Sequence, residues 1–114
     1  MTEDSSNSAS EHLSKARDYT ILILKKGPKY PEDVQNGKPI AWEHGKRNMS
    51  LRQAGVLALV CPIIDTEEYA GIGVFSCSVE EARKIMNDDP AVKAGVLTYS
   101  VHPGKGFPGD ALPS

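Results

Sequence analysis

Four short apolar runs account for most of the hydrophobic pattern of the chain, and they predict four β-strands. Residues 19–24 are rich in β-branched side chains and apolar at successive positions, which predicts a strand covered on both faces. Residues 56–61 and 69–76 predict a hairpin, because a short polar turn separates them. Residues 96–101 predict the last strand, which we expect Pro103 to end.

A loop rich in glycine and proline follows the first strand and leads into the first predicted helix. This helix begins near Pro39, a residue suited to a first helical turn, and it ends at Gly55, a natural left-handed stop. Steps of three and four residues place four side chains on one face: Ala41, His44, Asn48 and Leu51. A histidine and an amide therefore share the face that carries an apolar side chain.

The second predicted helix begins after Ser78, whose side chain we expect to cap it, with Glu81 completing a capping box. Asp89 precedes Pro90, and a residue before proline is pushed out of helical geometry, so the helix ends there. At that position Asp89 meets the negative end of the helix dipole. This unfavourable placement makes a cationic partner attractive for its carboxylate.

The element order is β-α-β-β-α-β, which predicts an α+β, ferredoxin-like protomer with two helices on one face of an antiparallel sheet. Its usual strand order, 4-1-3-2, puts the second and fourth strands at the edges. Pro62 and Pro103 fall on those strands, where a missing N–H is tolerated. Because the first strand is apolar on both faces, we expect a second layer from another copy, hence a homodimer packed sheet to sheet.

The length of 114 residues suits a single domain, which we place at residues 18–103. Residues 1–17 are polar and predict a disordered N-terminal tail. Residues 104–114 are rich in glycine and proline and predict a second tail.

The charge pattern argues against two classes of partner. Basic and acidic residues are mixed and the net charge is −2, so no field would gather nucleic acid or anionic lipid. No apolar run approaches the roughly 20 residues of a membrane span, and the N-terminus lacks the order of a signal peptide. We therefore expect a cytoplasmic protein that binds neither nucleic acid nor membranes.

The two cysteines predict neither a metal site nor a disulfide. There is no C-x-x-C pattern and the three histidines are far apart in the sequence. If the predicted hairpin turns near Thr66, Cys61 faces about position 72 and not Cys77. Both read as reduced, packed thiols.

His44 and Asp89 are the candidate catalytic residues. Histidine has the unperturbed pKa closest to physiological pH, and a carboxylate is its usual orienting partner. We predict that the two side chains lie within hydrogen-bond distance, with His44 as general acid and base and Asp89 orienting it. In the alternative interpretation, His44 is a buried structural residue bonded to backbone or to Asn48, and Asp89 only ends a helix.

Three further residues of the first helix are candidates for substrate binding. Arg47 belongs to a locally basic segment and could grip a substrate carboxylate, and Asn48 shares the face of the histidine. Trp42 could form one wall of a pocket. The alternatives are ordinary surface charge for the arginine and packing at a helix start or dimer interface for the tryptophan.

Four sequence features occur in a characteristic order along residues 19–103. They are His44 placed eleven positions before Gly55, a strand that ends in Pro62, the run SVEEA from Ser78, and Asp89-Pro90 followed by Ala94-Gly95-Val96. In this combination the chain resembles the YciI-like (YCII-related) family of the dimeric α+β barrel superfamily. It departs from the family pattern at Cys61, where glycine is common, at Gly45 and Lys46, where apolar residues are usual, and at Ala91, where an aromatic is common.

The resemblance implies a ferredoxin-like protomer that packs on a partner's sheet, with a small-molecule pocket between sheet and helices. It also implies that His44 and Asp89 match the histidine and aspartate taken as the family's active-site pair. Relatives in that family dehydrochlorinate breakdown products of chlorinated aromatics. The wider superfamily includes muconolactone isomerases and cofactor-free monooxygenases.

Residues and resemblance together lead to one main hypothesis, a cofactor-free enzyme that transfers protons with a His/Asp pair. Its reaction would be elimination, isomerisation or hydrolysis, of lyase or isomerase type, on a small, aromatic-derived acid. The alternatives are a non-catalytic dimeric domain that binds a small molecule or serves as an accessory, and cofactor-independent monooxygenase activity.

Overall fold

The computed structural model of the chain describes the backbone of residues 2–114 and the side chains of residues 8–114. It contains five helices and four strands among these residues. In chain order they are α1 Thr2–Ser14, β1 Arg17–Lys26, α2 Tyr30–Val34, α3 Ile40–Gln53, β2 Leu57–Pro62, β3 Tyr69–Phe75, α4 Val79–Asn87, α5 Pro90–Lys93 and β4 Leu97–Gly106. The fold class is α+β.

The four strands form one antiparallel sheet in the order β2-β3-β1-β4. This order is the one predicted from the sequence, and it is compatible with a ferredoxin-like fold. Pro62 and Pro103 lie on the two edge strands, as expected for residues that cannot donate to a neighbour on both sides. The strongly apolar β1 lies in the interior of the sheet, where it pairs with β3 and β4.

One face of the sheet carries the core. Leu22 and Leu24 of β1 are buried together with Phe75 of β3, and Ala82 and Met86 of α4 pack in the same cluster. Burying an aliphatic or aromatic side chain of this size contributes roughly 1.5–3 kcal/mol. The amphipathic stripe of α4 is therefore held against the sheet by packing, and its first turn is held by the Ser78 hydroxyl, which accepts a hydrogen bond from the Glu81 N–H at 3.2 Å.

The opposite face of the sheet is also apolar. Ile21 pairs with Val74, and Ile23 pairs with Ile72. None of these four side chains belongs to the buried core, and Ile72 keeps 39% of its surface exposed. Strand β1 is therefore apolar on both faces, but among the described side chains only one of these faces belongs to the buried core.

Both ends of the chain differ from the sequence prediction. Thr2–Ser14 forms α1 instead of a structureless tail, and this segment contains no proline or glycine to interrupt a helix. β4 continues past Pro103 to Gly106, which pairs with Arg17 of β1. The prediction that Pro103 ends the strand is wrong, because on an edge strand the missing N–H can face away from the sheet.

Two short helices, α2 and α5, were not predicted. α5 changes the interpretation of Asp89, because Asp88 is the C-cap residue of α4 and Asp89 is the N-cap residue of α5. The carboxylate accepts hydrogen bonds from the N–H groups of Ala91 at 2.9 Å and Val92 at 3.4 Å. The prediction that Asp89 meets the negative end of a dipole is therefore wrong: its side chain caps the positive end of the next helix.

Candidate functional site

Helix α3 is held at its N-terminus by a buried carboxylate from α2. The two oxygens of Asp33 accept hydrogen bonds from the N–H groups of Ile40 at 2.7 Å and Ala41 at 3.1 Å. These groups have no partner within the helix, so Asp33 satisfies both and fixes where α3 begins. At the other end Gly55 adopts a positive φ of 78°, which stops the helix as predicted.

The fixed helix directs His44 toward Asp89. The side chain of His44 is 12% exposed and that of Asp89 is 1% exposed. Nδ1 of His44 lies 2.7 Å from Oδ2 of Asp89, although 45 positions separate the residues. The predicted contact between these two residues is confirmed.

The two oxygens of Asp89 have different partners. Oδ1 caps α5 through Ala91 and Val92, and Oδ2 accepts the hydrogen bond from His44. Burial by itself raises the pKa of Asp89, but the hydrogen bond and charge of His44, with the N–H groups of Ala91 and Val92, outweigh it and hold the pKa below its ordinary value. The carboxylate is therefore ionised at neutral pH and can only accept hydrogen bonds.

The ionised carboxylate determines the tautomer of His44. Because Asp89 can only accept, the proton of the neutral ring is on Nδ1. Nε2 then carries the lone pair, and Nδ2 of Asn48 lies 3.2 Å from it and donates. Each of the two hydrogen bonds in the series Asn48–His44–Asp89 thus joins a donor to an acceptor.

Arg47 lies beside Asp89 and does not line the adjoining cavity. Its Nη1 is 3.5 Å from Oδ2 of Asp89, and its Nη2 is 3.9 Å from Oδ2 of Asp88. Nη1 is buried and makes no hydrogen bond to any described residue. The guanidinium therefore contributes positive charge near Asp89, away from the cavity where we expected it to bind substrate.

A cavity of about 340 Å³ lies on the other side of His44. His44 and Asn48 form part of its α3 wall, and much of the remaining lining is apolar, including Leu24, Val60, Leu97 and Met49. The volume is near the lower end of the roughly 300–1,000 Å³ range of small-molecule pockets. The site therefore combines one imidazole with a small apolar chamber.

The predicted site residues separate into two groups. His44, Asn48, Asp89 and Arg47 lie together. Trp42 is 69% exposed and is not among the described residues that line the cavity.

The cavity is also lined by Tyr30 and Arg52, which the sequence reasoning did not select. Tyr30 comes from the missed helix α2, so no local pattern pointed to it. Arg52 follows His44 and Asn48 at further steps of four, and the same helical spacing could have identified it.

The two cysteines form no disulfide, and Cys61 pairs with Ile72 across the hairpin as predicted. Among the side chains of residues 8–114, no group of three or more His, Cys, Asp or Glu residues could hold a metal ion. None of the helices described here is long and apolar enough to cross a membrane.

No model of a known protein family matches the chain, and no curated protein matches it either. The resemblance to the YciI-like family therefore stays a prediction from the residues.

Proposed function

We propose that the protein is a cofactor-free enzyme that transfers a proton with His44, oriented by Asp89, on a small organic acid in the adjoining cavity. The observation that carries the proposal is the 2.7 Å contact between Nδ1 of His44 and Oδ2 of Asp89 at the wall of an apolar chamber. The residues that resemble the YciI-like family support the same pair.

The reacting atom of the enzyme would be Nε2 of His44. It carries the lone pair in the neutral ring, and the carboxylate of Asp89 lies opposite the positive charge that forms when Nε2 takes a proton. Nε2 accepts a hydrogen bond from Nδ2 of Asn48. Substrate must displace that amide, which is then free to contact the bound molecule.

Elimination and isomerisation fit this site best. Each needs one group that removes a proton and can return it, and an apolar chamber limits competing reactions with water. Hydrolysis would in addition require a positioned water. We therefore place removal of a proton from carbon first among the reaction types.

The proposal is tested by incubating the full chain in D₂O with a panel of unsaturated acids, chlorinated aromatic-derived acids and lactones, followed by proton NMR. We expect deuterium incorporation or product formation with at least one compound. His44→Gln and Asp89→Asn should slow that reaction by about 10²–10⁴-fold. Turnover that His44→Gln retains, or no reaction with any compound, would contradict the proposal.

A second candidate function is binding without catalysis. It is favoured by one observation, that Asn48 and Asp89 together satisfy both ring nitrogens of His44. Under this function, thermal-shift screening of the same panel would find compounds that stabilise the chain, while the D₂O experiment would show no exchange with any of them.

A homodimer packed sheet to sheet is part of the proposal. It would bury the face formed by Ile21, Ile23, Ile72 and Val74, which the chain leaves outside its core. Four aliphatic side chains on one sheet face are the kind of surface that a second sheet covers in a layered fold.

Sedimentation equilibrium tests the dimer. We expect twice the chain mass of 12.3 kDa for the wild type and a shift to monomer in Ile72→Lys. The matched control is Ile64→Lys, because Ile64 is 94% exposed and lies outside the sheet. A monomeric wild type, or equal effects of the two lysines, would contradict the dimer.

A further inference from the structure

Three polar residues follow one another along the cavity side of α3. His44, Asn48 and Arg52 are four positions apart, which places them on one helical face, and all three line the cavity. His44 and Asn48 are tied to each other by a hydrogen bond. Arg52, at the C-terminal end of the row, is the member whose role is still unexplained.

The charge of Arg52 is not neutralised within the described residues. No carboxylate of the described side chains lies within ion-pair distance of it, whereas Arg47 of the same helix faces Asp88 and Asp89. Of the described residues around the cavity, Arg52 is the one with a permanent charge. An apolar chamber with a single unpaired guanidinium is suited to a molecule with an apolar body and one anionic group.

We infer that Arg52 binds the carboxylate of the substrate, so that the substrate class is a small monocarboxylic acid with an apolar body. This inference rests on the proposed function, because it takes the cavity beside His44 to be the place where the substrate reacts. A guanidinium can hold either a carboxylate or a phosphate in a bidentate contact, but the single negative charge of a carboxylate is the one that Arg52 by itself can match. A phosphate dianion would leave charge uncompensated beside the apolar walls.

The spacing along α3 bears on where the acid reacts. Eight residues separate the Cα atoms of His44 and Arg52, which corresponds to about 12 Å along the helix axis. Side chains on a helix lean toward its N-terminus, and this lean applies to both residues, so it leaves their separation along the axis of this order. A substrate that spans both groups has its reacting carbon several bonds away from the carboxylate that Arg52 holds.

The test compares benzoate with benzamide as probes of the full chain by isothermal titration calorimetry. The two molecules have nearly the same shape and differ in charge. We expect the wild type to bind benzoate about tenfold or more tightly than benzamide. Arg52→Gln should remove this preference and leave the affinity for benzamide unchanged, and Arg52→Lys should restore part of it, because lysine keeps the charge without the bidentate geometry.

Arg83→Gln is the matched control, because Arg83 is also an exposed helical arginine but does not line the cavity. It makes the same change in net charge and should keep the preference for benzoate. Equal affinity of the wild type for the two probes, no saturable binding of benzoate, or an equal loss in Arg83→Gln would overturn the inference. An arginine that only complements the dipole at the end of α3 would leave the ratio of affinities unchanged.

Proton transfer by His44 and carboxylate binding by Arg52 are tested by different measurements. If His44 transfers no proton, the D₂O experiment shows no exchange, yet the benzoate preference and its loss in Arg52→Gln still appear. If Arg52 does not bind the carboxylate, the preference is absent, while exchange that depends on His44 is still observed. His44→Gln should retain the preference for benzoate, because the anion contact does not involve the imidazole.

Discussion

Nη1 of Arg47 lies 3.5 Å from Oδ2 of Asp89, the oxygen that also accepts the hydrogen bond from His44. The guanidinium nitrogen is buried without a hydrogen bond to any described residue, so it acts on Asp89 through charge alone. Oδ2 of Asp89 therefore lies close both to the guanidinium of Arg47 and to the imidazole of His44, which is a cation when it is protonated. This shared oxygen couples the three residues.

We predict that Arg47→Met destabilises the chain by about 1 kcal/mol, because the buried carboxylate loses a nearby positive charge. The effect should be smaller in an Asp89→Asn background, with a coupling energy of roughly 0.5–3 kcal/mol. Urea unfolding of the two single variants and the double variant measures this. Additive effects in the cycle would contradict the coupling, and Arg83→Met serves as the control for losing an arginine elsewhere.

Replacements of Asp89 should separate its capping role from its charge. Asp89→Ala removes the cap of α5 and the partner of His44, and loss of a cap alone costs about 0.5–2 kcal/mol. Asp89→Asn keeps an oxygen that can accept from Ala91, so we expect it to be the more stable variant. Thermal and urea unfolding compare the two. Equal stability would show that Oδ1 contributes little to holding α5.

Asp89→Asn should nevertheless impair catalysis more than stability. Its amide can donate to Nδ1 of His44, which moves the ring proton to Nε2, the wrong atom for a general base. Two-dimensional NMR of the ring nitrogens reports the tautomer directly. We expect the proton on Nδ1 in the wild type and on Nε2 in Asp89→Asn. The same tautomer in both proteins would contradict the assignment.

The lowered pKa of Asp89 predicts acid sensitivity. A carboxyl group whose pKa is lower in the folded chain than its ordinary value of 3.8 binds protons more readily in the unfolded chain. Its stabilisation is therefore complete above that value and is lost as the pH falls through the lower pKa of the folded state. Urea unfolding of wild type and Asp89→Asn below pH 5 measures the difference.

We expect the stability advantage of the wild type over Asp89→Asn to shrink as the pH falls below about 5. An advantage that grows as the pH falls below that value would contradict a lowered pKa. Asp18 and Asp88 also have lowered pKa values, through Lys105 and Lys93. Both residues are exposed, and both are present in the wild type and in Asp89→Asn, so they do not account for a difference between the two proteins.

Asn48 should protect His44 from reagents that attack the neutral imidazole. Its Nδ2 occupies the lone pair of Nε2 at 3.2 Å, so we predict faster modification of His44 by diethyl pyrocarbonate in Asn48→Ala. Peptide mapping by mass spectrometry follows each histidine separately. His102, at an exposed strand position, provides the internal control and should react equally in both proteins. Equal rates at His44 would show that the Asn48 contact does not shield the ring.

Local patterns predicted most elements and their pairing. The apolar runs located all four strands, the proline positions agreed with the edge strands, and the cap at Ser78 marked the start of α4. These features depend on residues that are close together in the sequence or on the alternation of side chains within one element. Sequence patterns carry that information directly.

Other features could not be read from local patterns. The last residues of β4 are strand because Arg17 and its neighbours pair with them. Helix α1 has no apolar periodicity from which it could have been predicted. Asp89 looked like the end of one helix, and its capping of α5 depends on a four-residue helix that begins with Pro90. Tyr30 reaches the cavity only because the loop before α3 folds into a short helix.

The sequence by itself determined the strands, the face of α3 that carries His44 and Asn48, and the candidate pair with Asp89, because helical and strand periods are local properties of the chain. Only the tertiary structure decided which oxygen of Asp89 meets the imidazole, that Arg47 turns toward that carboxylate, and that Arg52 lines the cavity. Those outcomes depend on burial and on atoms brought together from distant positions, and the pKa of a buried group is set by the same three-dimensional surroundings.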